Sequence, residues 1–214
     1  MPIHQLSEAE LARLYGPWAG RTPAEAAAFF EGYPGRWWLA GGWAIEAFTG
    51  VERHHDDLDL EIPRSELALL RRHLAGRLDM WTATVGALLP LLPEDDPDGL
   101  ADAVLPTGCG QVWVRPSGAE PWEYDILFMP GGRDTWEFKR DDRIRLPLAD
   151  VLWLHDGAPY LRPEVQLLLK AKRPRQKDQA DFAAAAPLLD GASRTWLRGC
   201  LELAHPGHPW IAEL

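Results

Sequence analysis

Asp57 and Asp59 stand two residues apart in Asp57-Leu58-Asp59-Leu60-Glu61-Ile62, a stretch that alternates acidic and apolar residues. Period two is strand geometry, so both aspartates leave the same side of the chain, roughly 6–7 Å apart at the backbone. Like charges at that spacing repel unless a cation lies between them. Hard oxygen donors suit Mg²⁺, which takes one or two protein carboxylates and completes its shell from water and phosphate. The spacing lets both aspartates hold one ion, or two ions with one carboxylate bridging. Two ions about 3.5–4 Å apart clamp the attacking and leaving oxygens of a phosphoryl transfer. Taken alone, such residues are equally the solvated side of an ordinary edge strand.

A third carboxylate is expected from Trp122-Glu123-Tyr124-Asp125-Ile126-Leu127-Phe128. Tyr124, Ile126 and Phe128 share one face of this strand, and Glu123 and Asp125 share the other. An aspartate inside an apolar strand is costly unless it is paired or bound to a metal. Asp125 is therefore the expected third ligand and the base for an acceptor hydroxyl, with Glu123 as its rival.

Several elements must position these groups. Trp37 to Ala40 reads as a short buried strand, Gly41-Gly42 as a turn, and Trp43 to Phe48 as a helix ending near Gly50. A glycine turn between strand and helix presents backbone N–H groups at a helix N-terminus, where phosphate binds. Ser7-Glu8-Ala9-Glu10 and Thr22-Pro23-Ala24-Glu25 fit capping boxes that open two earlier helices. Arg64 to Leu78 is an amphipathic helix, and Met80 to Val85 a further strand. Leu91 to Gly110, rich in Pro, Gly and Asp, reads as a long loop or lid. Gln111 to Arg115 pairs with the strand from Trp122 to Met129 through Pro116-Ser117-Gly118. Trp136 to Lys139 and Arg143 to Leu146 form a second pair, and strands thin out after about Leu154. Helices follow over Pro163 to Lys172, Gln176 to Ala186 and Ser193 to Ala204.

Ala40-Gly41-Gly42-Trp43-Ala44-Ile45-Glu46, followed by Arg53-His54-His55-Asp56-Asp57-Leu58-Asp59-Leu60, resembles the DNA polymerase β-like nucleotidyltransferases. The likeness is to the aminoglycoside 2″-adenylyltransferase branch, with the lincosamide nucleotidyltransferases nearby, and it covers about residues 37–62. It implies an α+β nucleotidyltransferase fold, with a small mixed β-sheet flanked by helices in a core of residues 1–155. A C-terminal helical region, 156–214, follows. It also implies that Gly41 and Gly42 cradle nucleotide phosphates and that Asp57 and Asp59 bind Mg²⁺. Glu46 departs from the aspartate common in the aminoglycoside enzymes. Arg53 is a candidate for the triphosphate or for a salt bridge, and His55 for a hydrogen-bonding group beside the metal.

A second charged cluster lies between Glu164 and Asp181. Leu169-Lys170-Ala171-Lys172 and Arg175-Gln176-Lys177-Asp178-Gln179-Ala180-Asp181 resemble the closing segment of several nucleotidyltransferase-like proteins, toxin forms included. Lys170 and Lys177 are the candidates for neutralising triphosphate, oriented by Asp178 and Asp181. The plain alternative is a solvated helical face.

Of 214 residues, 46% are apolar and 25% charged, which is ample for a packed core and argues against disorder. Lys and Arg total 22 against 32 Asp and Glu, a net charge of −10. Such a chain is a poor non-specific binder of nucleic acid or anionic membrane, and suits a cationic small acceptor. Two cysteines exclude a disulfide framework and a four-thiolate zinc site. No basic-then-apolar leader opens the chain, and no apolar run reaches 18 residues, so a cytoplasmic protein is expected. The acidic run Glu94-Asp95-Asp96-Pro97-Asp98 is a solvated loop or an attractor of polycations. The tail His205-Pro206-Gly207-His208-Pro209-Trp210 reads as packed rather than metal-binding.

The function expected is Mg-dependent transfer of NMP, from ATP or another NTP, to a hydroxyl of a small molecule such as an aminoglycoside. Two ions are expected. A toxin-type enzyme modifying tRNA or protein is the second reading, and a non-catalytic nucleotide-binding relative the third.

Overall fold

The computed structural model describes residues 8–84, 87–92 and 105–214. In chain order come α1 (Glu8–Tyr15), α2 (Pro23–Phe29), β1 (Trp38–Leu39), α3 (Gly41–Thr49), β2 (Asp59–Pro63), α4 (Leu67–Leu74), β3 (Asp79–Thr84), β4 (Ala87–Leu91), β5 (Gln111–Arg115) and β6 (Tyr124–Met129). Then follow β7 (Thr135–Glu137), β8 (Arg145–Pro147), α5 (Leu148–Val151), β9 (Leu152–His155), β10 (Ala158–Leu161), α6 (Pro163–Lys170), α7 (Gln176–Ala185) and α8 (Gly191–Ala204). The class is α+β. By contact the chain forms two compact units, Met1–Trp37 with His55–Arg133, and Trp38–His54 with Asp134–Leu214. These units interleave along the sequence, where a single division near residue 155 was expected.

In the first unit five strands run in the order β4-β3-β5-β6-β2. β2 and β6 are parallel, and the other neighbours are antiparallel. Leu60, Ile62, Val112, Val114 and Ile126 are fully buried, which is the apolar half of each strand's alternation. Thr22 caps α2 as expected: its hydroxyl accepts from the Glu25 N–H at 3.3 Å, and the Glu25 carboxylate accepts from the Thr22 N–H at 2.8 Å. The corresponding expectation at Ser7 lies outside the described residues. The helix expected over 64–78 is shorter. It opens with a 3₁₀ turn, Arg64–Glu66, and α4 buries Leu67, Leu70 and Leu74.

In the second unit β1 runs parallel to β10, and β10 antiparallel to β9. β7 and β8 pair antiparallel, close to the expected positions. The β9–β10 hairpin departs from the expectation that strands thin out after Leu154. Its signal was present in Asp156-Gly157, which occupy the two-residue turn with φ of 48° and 79°. Two positive φ values are what a type I′ hairpin needs, and Asp-Gly supplies them. α6 packs against α8 and α3 against α6 and α7. The tail is packed as expected: Trp210 is buried, stacks on Phe182 at 4.2 Å and donates to Gln179 Oε1 at 2.7 Å. Among the described residues no helix is long and apolar enough to cross a membrane.

Candidate active site

The parallel register of β2 and β6 places Asp59 directly opposite Asp125. Residues opposite one another share a face, so their side chains emerge together. The strand expected from Asp57 begins at Asp59 instead, with Asp57 in the bend that precedes it. The ladder nevertheless reaches one carbonyl further back, because the Asp125 N–H donates to the Leu58 oxygen at 3.3 Å. One ligand atom from each of Asp57, Asp59 and Asp125 lies within 4.8 Å of the other two. Asp125 is buried, and Asp57 and Asp59 are half-buried. Among the described residues this is the group of acidic, histidine and cysteine side chains that could hold a metal ion.

Three carboxylates so close repel one another when ionised. An all-oxygen, all-anionic donor set of this size matches a hard divalent cation and not a soft one.

Glu123, the rival of Asp125, stands just before β6. Glu123 is engaged elsewhere: Arg21 Nη2 meets its Oε1 at 2.6 Å, while Arg21 Nη1 reaches Glu25 Oε1 at 2.7 Å. The Glu123 carboxylate, then that of Glu25, raises the Arg21 pKa. It is Asp125 that joins Asp57 and Asp59.

A row of opposed residues crosses this face from β3 to β2: Trp81, Trp113, Asp125 and Asp59. Trp113 packs edge-on against Trp18 at 5.1 Å and Trp122 at 5.4 Å. Arg115 lies 3.9 Å over Trp122 and 4.8 Å over Trp81. No sequence motif marks these tryptophans. Gln111 also went unnoticed, yet its Nε2 donates to Asp125 Oδ2 at 3.0 Å.

The other candidates lie in the second unit. Gly41 and Gly42 are the first residues of α3 rather than a turn ahead of it. Gly41 has φ +66°, a left-handed conformation that glycine adopts without strain. Its N–H donates to the buried Gln166 Oε1 at 2.8 Å. Arg53 donates to Asp181 through Nε at 3.1 Å. Lys170 Nζ sits 3.0 Å from Asp178 Oδ1 and 2.9 Å from Asp181 Oδ2, with all three side chains buried. Arg175 completes the cluster on Asp178 through Nε at 2.9 Å and its own N–H at 2.9 Å. Burial pushes the Asp178 carboxyl up, but Arg175 and Lys170 outweigh it and hold it well below the usual carboxylate range. Arg53 and Lys170 are thus joined through Asp181 inside this unit. Lys177 lies half-buried on the first turn of α7. The acidic loop of residues 94–98 lies outside the described residues.

Residues 24–79 match the sequence profile of the aminoglycoside-2″-adenylyltransferase family. That span contains Gly41, Gly42, Arg53, Asp57 and Asp59, and it ends before Asp125. Two curated 2″-aminoglycoside nucleotidyltransferases, from Escherichia coli and Klebsiella pneumoniae, are each 49% identical to this chain over 45 residues. That stretch is 19% of this chain, and the chain spans about a quarter (25%) of the length of these relatives. A crystal structure of the lincosamide antibiotic adenylyltransferase LnuA, lincomycin-bound, superposes with a TM-score of 0.51 at 15% identity, over 79% of this chain and 99% of that one. Over residues 24–79 the chain is therefore similar to the aminoglycoside-2″-adenylyltransferases, and its fold is like that of LnuA.

Proposed function

We propose that this protein is a metal-dependent nucleotidyltransferase that moves an NMP group, AMP from ATP first among the choices, to a hydroxyl of a small antibiotic-like acceptor. The observation that carries the reading is the convergence of Asp57, Asp59 and Asp125 to within 4.8 Å. The family match over the first two of these residues and the named substrates of the relatives support it. The net charge of −10 favours a cationic acceptor such as an aminoglycoside over a nucleic acid.

Asp57, Asp59 and Asp125 would hold one or two Mg²⁺ ions. When bound, the metal supplies positive charge to the α-phosphate and the leaving pyrophosphate. Asp125 would take the acceptor's hydroxyl proton. The acceptor oxygen then bonds to the α-phosphorus, the bond from that phosphorus to the bridging oxygen breaks, and pyrophosphate leaves with the electron pair. Catalysis of this kind is mostly positioning and charge neutralisation. The resemblance assigns Gly41 and Gly42 to the nucleotide phosphates, and charge makes Arg53, Lys170 and Lys177 further candidates. Arg53 and Lys170 meet Asp181 and Asp178, and our reading gives these two the bracing of α6 and α7.

The test is transfer of label from each α-³²P-NTP, with Mg²⁺, to a panel of aminoglycosides, lincosamides and bulk tRNA. Labelling of an antibiotic that is lost in Asp57→Asn is the expected result. Labelling of tRNA alone would move the acceptor to the toxin-type reading. Absence of transfer to any acceptor, together with no NTP binding by calorimetry, would overturn the enzymatic one.

A further inference from the structure

We propose that Gln111 is a positioning residue for the metal-binding carboxylates, fixing the orientation of Asp125 through its side-chain amide. The inference rests on the reading that Asp57, Asp59 and Asp125 hold a divalent cation. The Gln111 Nε2 donates to Asp125 Oδ2 at 3.0 Å. An aspartate's terminal torsion is broad, so a partner is what sets the plane of its carboxylate. Gln111 is itself well anchored. Its carbonyl accepts from Cys109 Sγ at 3.2 Å, the adjacent Gly110 carbonyl accepts from the Phe128 N–H at 2.8 Å, and β5 and β6 lock Gln111 opposite Leu127. The residue type follows from the charge already present. An amide offers a proton donor to Asp125 without adding a fourth negative charge to three crowded carboxylates. Groups that hydrogen-bond a metal ligand from behind are commonly worth 10–100-fold in metal affinity.

The experiment measures Mn²⁺ binding to the full chain by electron paramagnetic resonance, for the native protein and for Gln111→Leu, Gln111→Glu and Asp125→Asn. Circular dichroism and melting confirm the fold of each. Gln111→Leu should weaken Mn²⁺ at least about tenfold and lower kcat, with KM for the acceptor little changed. Gln111→Glu separates positioning from charge. An added carboxylate acting through charge alone would tighten Mn²⁺, whereas loss of the amide donor loosens it, and loosening is the expected result. If Gln111→Leu fails to fold, Gln111→Glu decides by the same sign. The inference is overturned if the folded Gln111 variants bind Mn²⁺ as tightly as the native chain while Asp125→Asn loses it. Native-like binding by Asp125→Asn would instead bring down the underlying site reading.

Discussion

Asp59 and Asp125 face each other across the parallel strands β2 and β6, and Asp57 brings a third carboxylate within 4.8 Å of both. Without a cation this arrangement works against the fold, because each pair repels. Asp59→Asn should therefore raise the melting midpoint in EDTA by about 2–4 °C, the shift expected for roughly 1 kcal/mol in a chain of this size. Added Mg²⁺ should raise the midpoint of the native protein and leave that of Asp59→Asn in place. Differential scanning fluorimetry with and without Mg²⁺ reads both effects. A lower midpoint for the variant in EDTA would show that Asp59 stabilises the fold by its own contacts.

Glu123, two residues before Asp125, provides the control. Its partner is Arg21, one-third exposed, which also holds Glu25. Pairs of this exposure contribute less than about 1 kcal/mol. Glu123→Gln should cost no more than that in urea denaturation and leave Mn²⁺ affinity unchanged. A loss of Mn²⁺ binding in this variant would return Glu123 to the ligand set.

The carboxylate pair on Asp57-Leu58-Asp59 was readable because period two and charge coincide there. Asp125 was readable as an aspartate placed in an apolar strand, but its choice over Glu123 needed the position of Arg21, which is remote in sequence. Gln111 carried no signal of its own, since its part depends on the β5–β6 register. The charged run from Lys170 to Asp181 looked like a surface. Lys170, Asp178 and Asp181 are nonetheless buried, because the lysine and aspartates eight and eleven residues on close on one another. The β9–β10 hairpin was legible in Asp156-Gly157 and was overlooked because the flanking strands are only four residues each.

That buried cluster sets a pH dependence. The folded-state pKa of Asp178 lies below its unfolded value near 3.8, through Arg175 and Lys170 acting against burial. A depressed carboxylate contributes stability that is fully present above the unfolded pKa and is lost as pH falls through the folded one. Acid titration followed by circular dichroism should show stability falling below about pH 4, and Asp178→Asn should flatten the curve in that window. An unchanged slope in the variant would mean that other carboxylates carry the acid transition.

Lys170 tests whether the cluster serves structure or nucleotide. Its ammonium lies 3.0 Å and 2.9 Å from Asp178 and Asp181, each of which is only 3% exposed. Removing one partner of a buried ion pair leaves uncompensated charge and costs roughly 3–5 kcal/mol, although Arg53 and Arg175 still face the two aspartates. Lys170→Met should lower the unfolding free energy read from urea denaturation by about 3 kcal/mol. Converting Asp178 and Asp181 to Asn in the same chain should recover part of the loss, since no buried carboxylate short of a partner then remains. A phosphate-binding lysine would behave differently: KM for NTP would rise in Lys170→Met with stability nearly intact, and the double aspartate substitution would not restore it.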